Sequence, residues 1–220
     1  MRRQYTDLGA MLEEAIKLNG SRDGYNGSPP PRLRRLDGRL IDFGGAAKPG
    51  DEQHWMGNPH DFLGVDEGAQ FLRSQIRFLM GWVRSTVEGQ RKRAVIATNP
   101  PMNPEGLWLI EDFAPWLDKR HHNPALPGEL RWYVTDEEGH DQEVSGPAPV
   151  TVGGKLVDPV SRTFIPASIK DNPYLEGTGY QKQLDAMIEP HRSILLGRFQ
   201  NVVQDNPMQI IPTDWIRDAQ

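Results

Sequence analysis

The chain contains no cysteine. That excludes disulfide bonds, thiolate catalysis and zinc sites built on cysteine, and it fits a reducing compartment. It also lacks any apolar run approaching the roughly 20 residues that cross a bilayer, and Met1-Arg2-Arg3-Gln4-Tyr5 is followed by no signal-type apolar segment. A soluble, intracellular protein is therefore expected, with no membrane partner. An excess of positive charge is missing too: the formal charge is −5, which gives no general attraction to nucleic acid and leaves only local basic clusters for such contacts. Finally, the phosphate-cradling pattern GxxxxGKS/T occurs nowhere. The closest stretch, Gly44-Gly45-Ala46-Ala47-Lys48-Pro49-Gly50, lacks both the spacing and the Lys-Ser/Thr pair, and Pro49 removes an amide that a phosphate nest would use. It reads as a surface turn.

What is present is a chain of 220 residues, enough for one core with a small appended lobe. Mean hydropathy is low at −0.62. With 22 Gly and 19 Pro, many turns and extended connections are expected. Leu8, Met11, Leu12, Ala15, Ile16 and Leu18 recur at mostly helical intervals, predicting a helix over 5–19 that stops at Gly20. A loop follows over 21–31, then a short strand over 39–43 and a further loop to about Pro59.

The most informative unit comes next. Asp61-Phe62-Leu63-Gly64-Val65 is closed by the acids Asp66-Glu67, and about thirty residues later comes Ala94-Val95-Ile96-Ala97 followed by Thr98-Asn99-Pro100. Between them Leu72, Ile76, Leu79 and Val83 keep helical spacing, so the unit reads as strand, helix, strand, a parallel crossover. That topology sets Asp66, Glu67, Thr98 and Asn99 on one rim, where open α/β sheets bind ligands. In a nucleotide hydrolase the first acid after a buried strand serves the magnesium shell and the next polarises the attacking water. Asp66 and Glu67 fit those roles in order, while Thr98 and Asn99 suit sensing of a γ-phosphate or positioning of water. The plainer alternative is that the acids cap a helix beginning near Gly68, where the helix dipole favours them, and that Thr-Asn is a polar strand end before proline.

Further on, 105–114 reads as a short helix before Pro115, 130–134 and 163–165 as strands, and 137–158, rich in Gly, Pro and acids, as an exposed hairpin or lobe. Helices are expected over 180–188 and 191–196, and a strand entering a turn over 210–216. Arg2-Arg3, Arg32 with Arg34 and Arg35, and Arg91-Lys92-Arg93 can contact phosphates or simply form solvated edges. Arg84 is a weaker candidate for a charge-stabilising finger against a solvated helix position. His121-His122 has no carboxylate at helical spacing and reads as loop. Trp108, Trp116, Trp132 and Trp215 are expected in packing before base stacking.

In these residues the chain resembles the large terminase subunit of tailed bacteriophages, the motor that pumps DNA into a capsid. The resemblance runs through Arg2-Arg3-Gln4-Tyr5 and the following helix, Gly57-Asn58-Pro59-His60-Asp61 to Glu67, Ala97-Thr98-Asn99-Pro100-Pro101, Pro115-Trp116-Leu117, Asn123-Pro124-Ala125, Pro127-Gly128-Glu129-Leu130, Asp171-Asn172-Pro173-Tyr174-Leu175 and Leu195-Leu196-Gly197. It implies that Asp66-Glu67 is the Walker B pair, with Asp66 serving the metal, and that Thr98-Asn99 is the motif coupling hydrolysis to movement. In the family the Walker A loop precedes the segment matching Met1 to Tyr5, and a nuclease domain follows the segment matching Trp215.

The fold implied is therefore α/β, an incomplete P-loop NTPase-like (ASCE-type) sheet flanked by helices with a small β-rich lobe at 137–160, one partial ATPase domain over 1–220 with no nuclease domain. ATP and Mg2+ are the implied cofactors, provided a Walker A segment is supplied, and turnover by the chain alone is expected to be negligible. The implied partners are phage DNA, the procapsid portal, the small terminase subunit and a Walker A-bearing chain, in the host cytoplasm. A non-enzymatic docking module for procapsid, small subunit or DNA is the alternative. Loss of the first strand of the sheet would expose unpaired backbone, so marginal stability or self-association is expected.

Overall fold

A computed structural model describes residues 1–175, 178–189 and 191–199. The expected strand and turn over 210–216, and Trp215 with them, lie outside the described residues. The fold is mixed α/β with small sheets and helices, and it divides into two compact units, Met1–Trp108 and Leu109–Gln220.

In the first unit a 3-10 turn, Tyr5–Asp7, leads into α1 (Leu8–Asn19). Leu8, Met11, Leu12 and Ala15 lie at i, i+3, i+4 and i+7 and form one stripe that packs around Leu33, Phe43 and Tyr25. Burying side chains such as Leu8 and Leu33 contributes about 1.5–3 kcal/mol each. The helix stops where expected: Gly20 takes the left-handed conformation (φ 81°) and its N–H donates back to the carbonyls of Ile16 and Lys17. The stripe packs against a three-stranded antiparallel meander of β1 (Tyr25–Asn26), β2 (Arg32–Arg34) and β3 (Leu40–Asp42). Its first two strands were not expected. Residues 21–31 read as loop because β1 is only two residues long, and the charges of β2 mask a strand whose one inward side chain is Leu33.

The crossover forms. β4 (Phe62–Asp66) is followed by α2 (Arg73–Met80) and then by β5 (Arg93–Ala97), which pairs with β4 in parallel from Phe62↔Arg93 to Asp66↔Ala97. Ile76 and Leu79 face the core, but the helix ends at Gly81 and does not reach Val83. The backbone of Trp82 and Arg84 instead brackets His60, through His60 N–H to Trp82 O and Arg84 N–H to His60 O. Arg84 is thus exposed as expected but in a loop and not on a helix, its guanidinium stacking 4.6 Å from the centre of the Trp82 ring.

The Gly44–Gly50 stretch is a surface turn only in its second half. Gly44 and Ala46 are buried, and a Cβ on Gly44 would lie 1.8 Å from Trp55 Cζ2, so the indole occupies the space that glycine leaves. Gln75, fully buried on α2, holds the rest of the turn: its amide nitrogen donates to Ala46 O, Lys48 O and Glu52 Oε2 while its oxygen accepts the Leu72 N–H.

The second unit contains α3 (Trp108–Asp112, whose first residue belongs to the first unit), α4 (Ala114–Leu117), and an antiparallel sheet in which β6 (Arg131–Thr135) lies between β7 (Asp141–Val144) and β10 (Val160–Arg162). The helix expected over 105–114 is broken, because a 3-10 turn occupies Pro104–Gly106 and Pro115 has no N–H with which to continue α3. Strand pairing falls at 160–162 and not at 163–165, since the Phe164 carbonyl is taken by the Gly128 N–H. The expected hairpin segment supplies β7 and a separate hairpin of β8 (Val150–Val152) and β9 (Lys155–Val157). Two short helices follow, α5 (Tyr180–Asp185) and α6 (His191–Leu195).

Candidate functional site

Parallel pairing carries the chain to the same rim twice, at the end of β4 and at the end of β5. Asp66 is the last residue of β4 and lies opposite Ala97, so Asp66, Glu67, Thr98 and Asn99 share the carboxyl edge of the pair, as the sequence predicts.

The local geometry at this edge is unusual. Glu67 has φ 56° and ψ 49°, the left-handed region, and is the one non-glycine residue with positive φ among the described residues. An L-residue pays about 1–2 kcal/mol there, and such strain gathers at functional sites when the surroundings over-determine it. Two contacts do so. Gly68 is buried with Ile96 pressed against it: a Cβ would sit 2.2 Å from Ile96 Cγ2. The Thr98 hydroxyl accepts the Ala69 N–H at 2.9 Å and donates to the Asn99 carbonyl at 2.7 Å, tying the end of β5 to the 3-10 turn Gly68–Gln70. The acids therefore do not cap a regular helix; α2 starts later, at Arg73.

Both Thr98 hydrogen-bonding directions are used within the protein, so its hydroxyl positions the turn. The half-buried Glu67 carboxylate and the exposed Asn99 side chain accept or donate no hydrogen bond among the described residues. Within the described residues both keep their hydrogen-bonding capacity for a ligand, although the Glu67 charge also acts on Arg2.

Asp66 is not free. Arg2 grips its Oδ2 through Nη2 at 2.7 Å and Nε at 2.8 Å, and Asp66 Oδ1 accepts the Glu67 N–H at 3.2 Å. The hydrogen bond to the Asp66 carboxylate pushes the Arg2 guanidinium above its ordinary value. Met1 lies along the outer edge of β4, donating from its nitrogen to Gly64 O and accepting the Asp66 N–H. Arg3 donates to the carbonyls of Ala47 and Gln70. Both arginines thus tie residues 1–3 to the rim and are not simply a solvated edge.

Other basic groups divide differently. Arg32 is forked onto Asp42 on the neighbouring strand, and Arg35 lies 3.7 Å from Asp37. Arg91 and Lys92 are exposed and make no ion pair among the described residues, while Arg93 lies 5.5 Å from the centre of the Phe62 ring.

Two cavities among the described residues lie away from the rim. One of ≈ 320 Å³ lies against Trp55, Tyr5 and the Arg32–Asp42 pair, and one of ≈ 440 Å³ lies against Trp132, Arg131 and His122. Neither is lined by Asp66, Glu67, Thr98 or Asn99. Trp108 is core, its indole N–H donating to Phe71 O; Trp116 packs 5.9 Å from Phe113. His121 and His122 stack on each other at 4.3 Å in a loop, and among the described residues no three His, Asp or Glu side chains cluster to hold a metal.

Sequence reasoning missed the Arg2–Asp66 pair and Gln75. Nothing local signals the first, whose partners are 64 residues apart. A polar residue between Ile76 and the start of α2 was the available sign of the second. No family model matches the chain, and no curated protein or solved structure is similar to it.

Proposed function

We propose that the chain is part of a DNA-packaging ATPase of the terminase large-subunit kind, which hydrolyses ATP only when a phosphate-cradling Walker A segment is supplied. The observation that carries this reading is the strained Glu67, held by Gly68 and Thr98 at the carboxyl end of a parallel strand with its carboxylate in no hydrogen bond among the described residues. In that position Glu67 orients a water for in-line attack on the γ-phosphorus and takes its proton, with ADP as leaving group. Asn99 is the second free group and contacts the γ-phosphate or that water, while Thr98 positions the turn.

Mg2+ fits the donor set in a limited way. It requires few protein ligands because waters and phosphate oxygens fill most of its octahedron. Asp66 offers only the remaining lone pair of Oδ1, which also accepts the Glu67 N–H, while Oδ2 stays with Arg2. When bound, the ion would neutralise charge on the β- and γ-phosphates. Phage DNA, the procapsid portal and the small terminase subunit are the partners this reading carries, in the host cytoplasm, and it treats the sheet as an incomplete P-loop NTPase-like one.

The test is phosphate release from ATP by the full chain, alone and with a Walker A segment added in trans. Negligible release alone, stimulation by the segment, and a loss of about 10²-fold or more in Glu67→Gln are expected. Stimulated release that Glu67→Gln leaves untouched would remove Glu67 from the mechanism.

One observation favours a second reading, a docking module without turnover: the Asp66 carboxylate is already neutralised by Arg2. In that case binding to DNA or procapsid is the same in wild type and Glu67→Gln and does not respond to ATP.

A further inference from the structure

Among the described residues the parallel pair has one closed edge and one open edge. Gly64 O and Asp66 N–H are bonded to Met1 on the outer side of β4, so Leu63 and Val65 direct their backbone groups toward β5. With Leu63↔Ala94 and Val65↔Ile96 in register, the β5 residues that bond back to β4 are Arg93, Val95 and Ala97, in accord with the Arg93 N–H donating to Asp61 O. Ala94 and Ile96 therefore aim their N–H and C=O groups away from the sheet. No strand among the described residues pairs with them. Unpaired edge groups of this kind template the addition of another strand.

We infer that a second copy of this chain adds there, β5 against β5 in antiparallel pairing about a twofold axis at Val95. The register follows from which residues face outward. Outward residues must pair with outward residues, so Ala94 meets Ile96 of the second copy, Ile96 meets its Ala94, and Lys92 meets its Thr98, each as a hydrogen-bonded pair. Val95 then faces itself in a non-hydrogen-bonded pair. It is 48 % exposed, with Arg93 and Ala97 also exposed on the same face.

Charge selects this partner. Antiparallel pairing lays the basic run Arg91-Lys92-Arg93 of each copy beside the acid rim of the other. Arg93 of the second copy falls opposite Ala97, on the face that also carries Asp66, two strand spacings or about 9–10 Å away between backbones. The side chain between them is only a methyl group, and an extended arginine spans that gap. Each Asp66 would then be shared between its own Arg2 and the incoming Arg93. The inference stands on the open edge and the charges alone and is independent of nucleotide hydrolysis; any other strand added to this edge would compete with the second copy.

The absence of cysteine makes the test clean. Val95→Cys places two thiols across the axis at a Cα separation of about 4.5 Å, within disulfide reach, and oxidation of the full chain should give a covalent dimer, with Val87→Cys at another exposed position as the control. In light scattering the wild type should show a concentration-dependent dimer. Val95→Lys, which sets two ammonium groups against each other at a site that tolerates exposure, should be monomeric, and Arg93→Glu should weaken the dimer about tenfold through two symmetric ion pairs. A wild type monomeric at every concentration, a Val95→Cys crosslink no stronger than that of Val87→Cys, or a dimer indifferent to Val95→Lys would each overturn the inference.

Discussion

Glu67 is a residue whose removal should make the protein more stable. Its backbone sits at φ 56° and ψ 49°, where a side chain beyond glycine costs about 1–2 kcal/mol. Glu67→Gly releases that strain, and against it stands about 0.5–1 kcal/mol of extra chain entropy in the unfolded state. The net expectation is stabilisation by about 0.5–1 kcal/mol. Glu67→Ala keeps the strain while removing the same carboxylate, so the comparison between Gly and Ala isolates the backbone effect from any charge effect on Arg2. For a chain of this length the gain corresponds to an upward shift of roughly 1–4 °C in Tm. Because the chain has two compact units, the assay should report locally: amide exchange at Gln70 and Phe71, whose N–H groups bond back to Glu67 and Gly68, together with thermal unfolding. Slower exchange in Glu67→Gly than in Glu67→Ala is expected. Equal protection in the two variants would refute the claim that Glu67 is strained, and with it the structural support for a catalytic role.

Arg2→Ala should lower stability by about 0.5–1 kcal/mol in chemical denaturation, a partly exposed ion pair being discounted for screening, and should leave Asp66 free to bind Mn2+, detectable by paramagnetic relaxation. Unchanged stability would show that the 2.7 Å pair contributes nothing. Gly68→Ala drives a methyl group into Ile96 and should cost about 1–3 kcal/mol, with Ile96→Ala in the same chain relieving the overlap; full stability of the single variant would contradict the close approach. The Asp37 carboxyl, held mainly by the Arg39 guanidinium and then by the Arg39 N–H, is pulled down from 3.8 to about 2. Its contribution to the hairpin turn is present above pH 3.8 and lost as pH falls through about 2. A carboxyl carbon titration should follow that course and move back toward the ordinary range in Arg39→Gln.

The legible features were those written over short stretches. Helix α1 shows in the period of Leu8, Met11, Leu12 and Ala15 and in Gly20, whose lack of a side chain permits the terminating turn. The crossover shows because two apolar runs flank a helical period, and parallel strands must then end on one side, which brings Asp66 and Thr98 to a common rim. Where short-range signals competed, they failed. The charged residues of β2 hid a strand that buries only Leu33, and the apolar spacing over 105–114 hid the 3-10 turn at Pro104–Gly106 and the break between α3 and α4.

The sequence by itself determined the parallel unit and the identity of its rim residues, since periodicity and strand direction depend only on neighbours along the chain. Tertiary structure alone decided what those residues can do. Thr98 is tied to the Ala69 N–H across 29 positions and Asp66 is held by Arg2 across 64, while Ile96 closes on Gly68 and Glu67 sits in the left-handed region. Each of these follows from groups distant in sequence meeting in space, and no local pattern carries the distance between them.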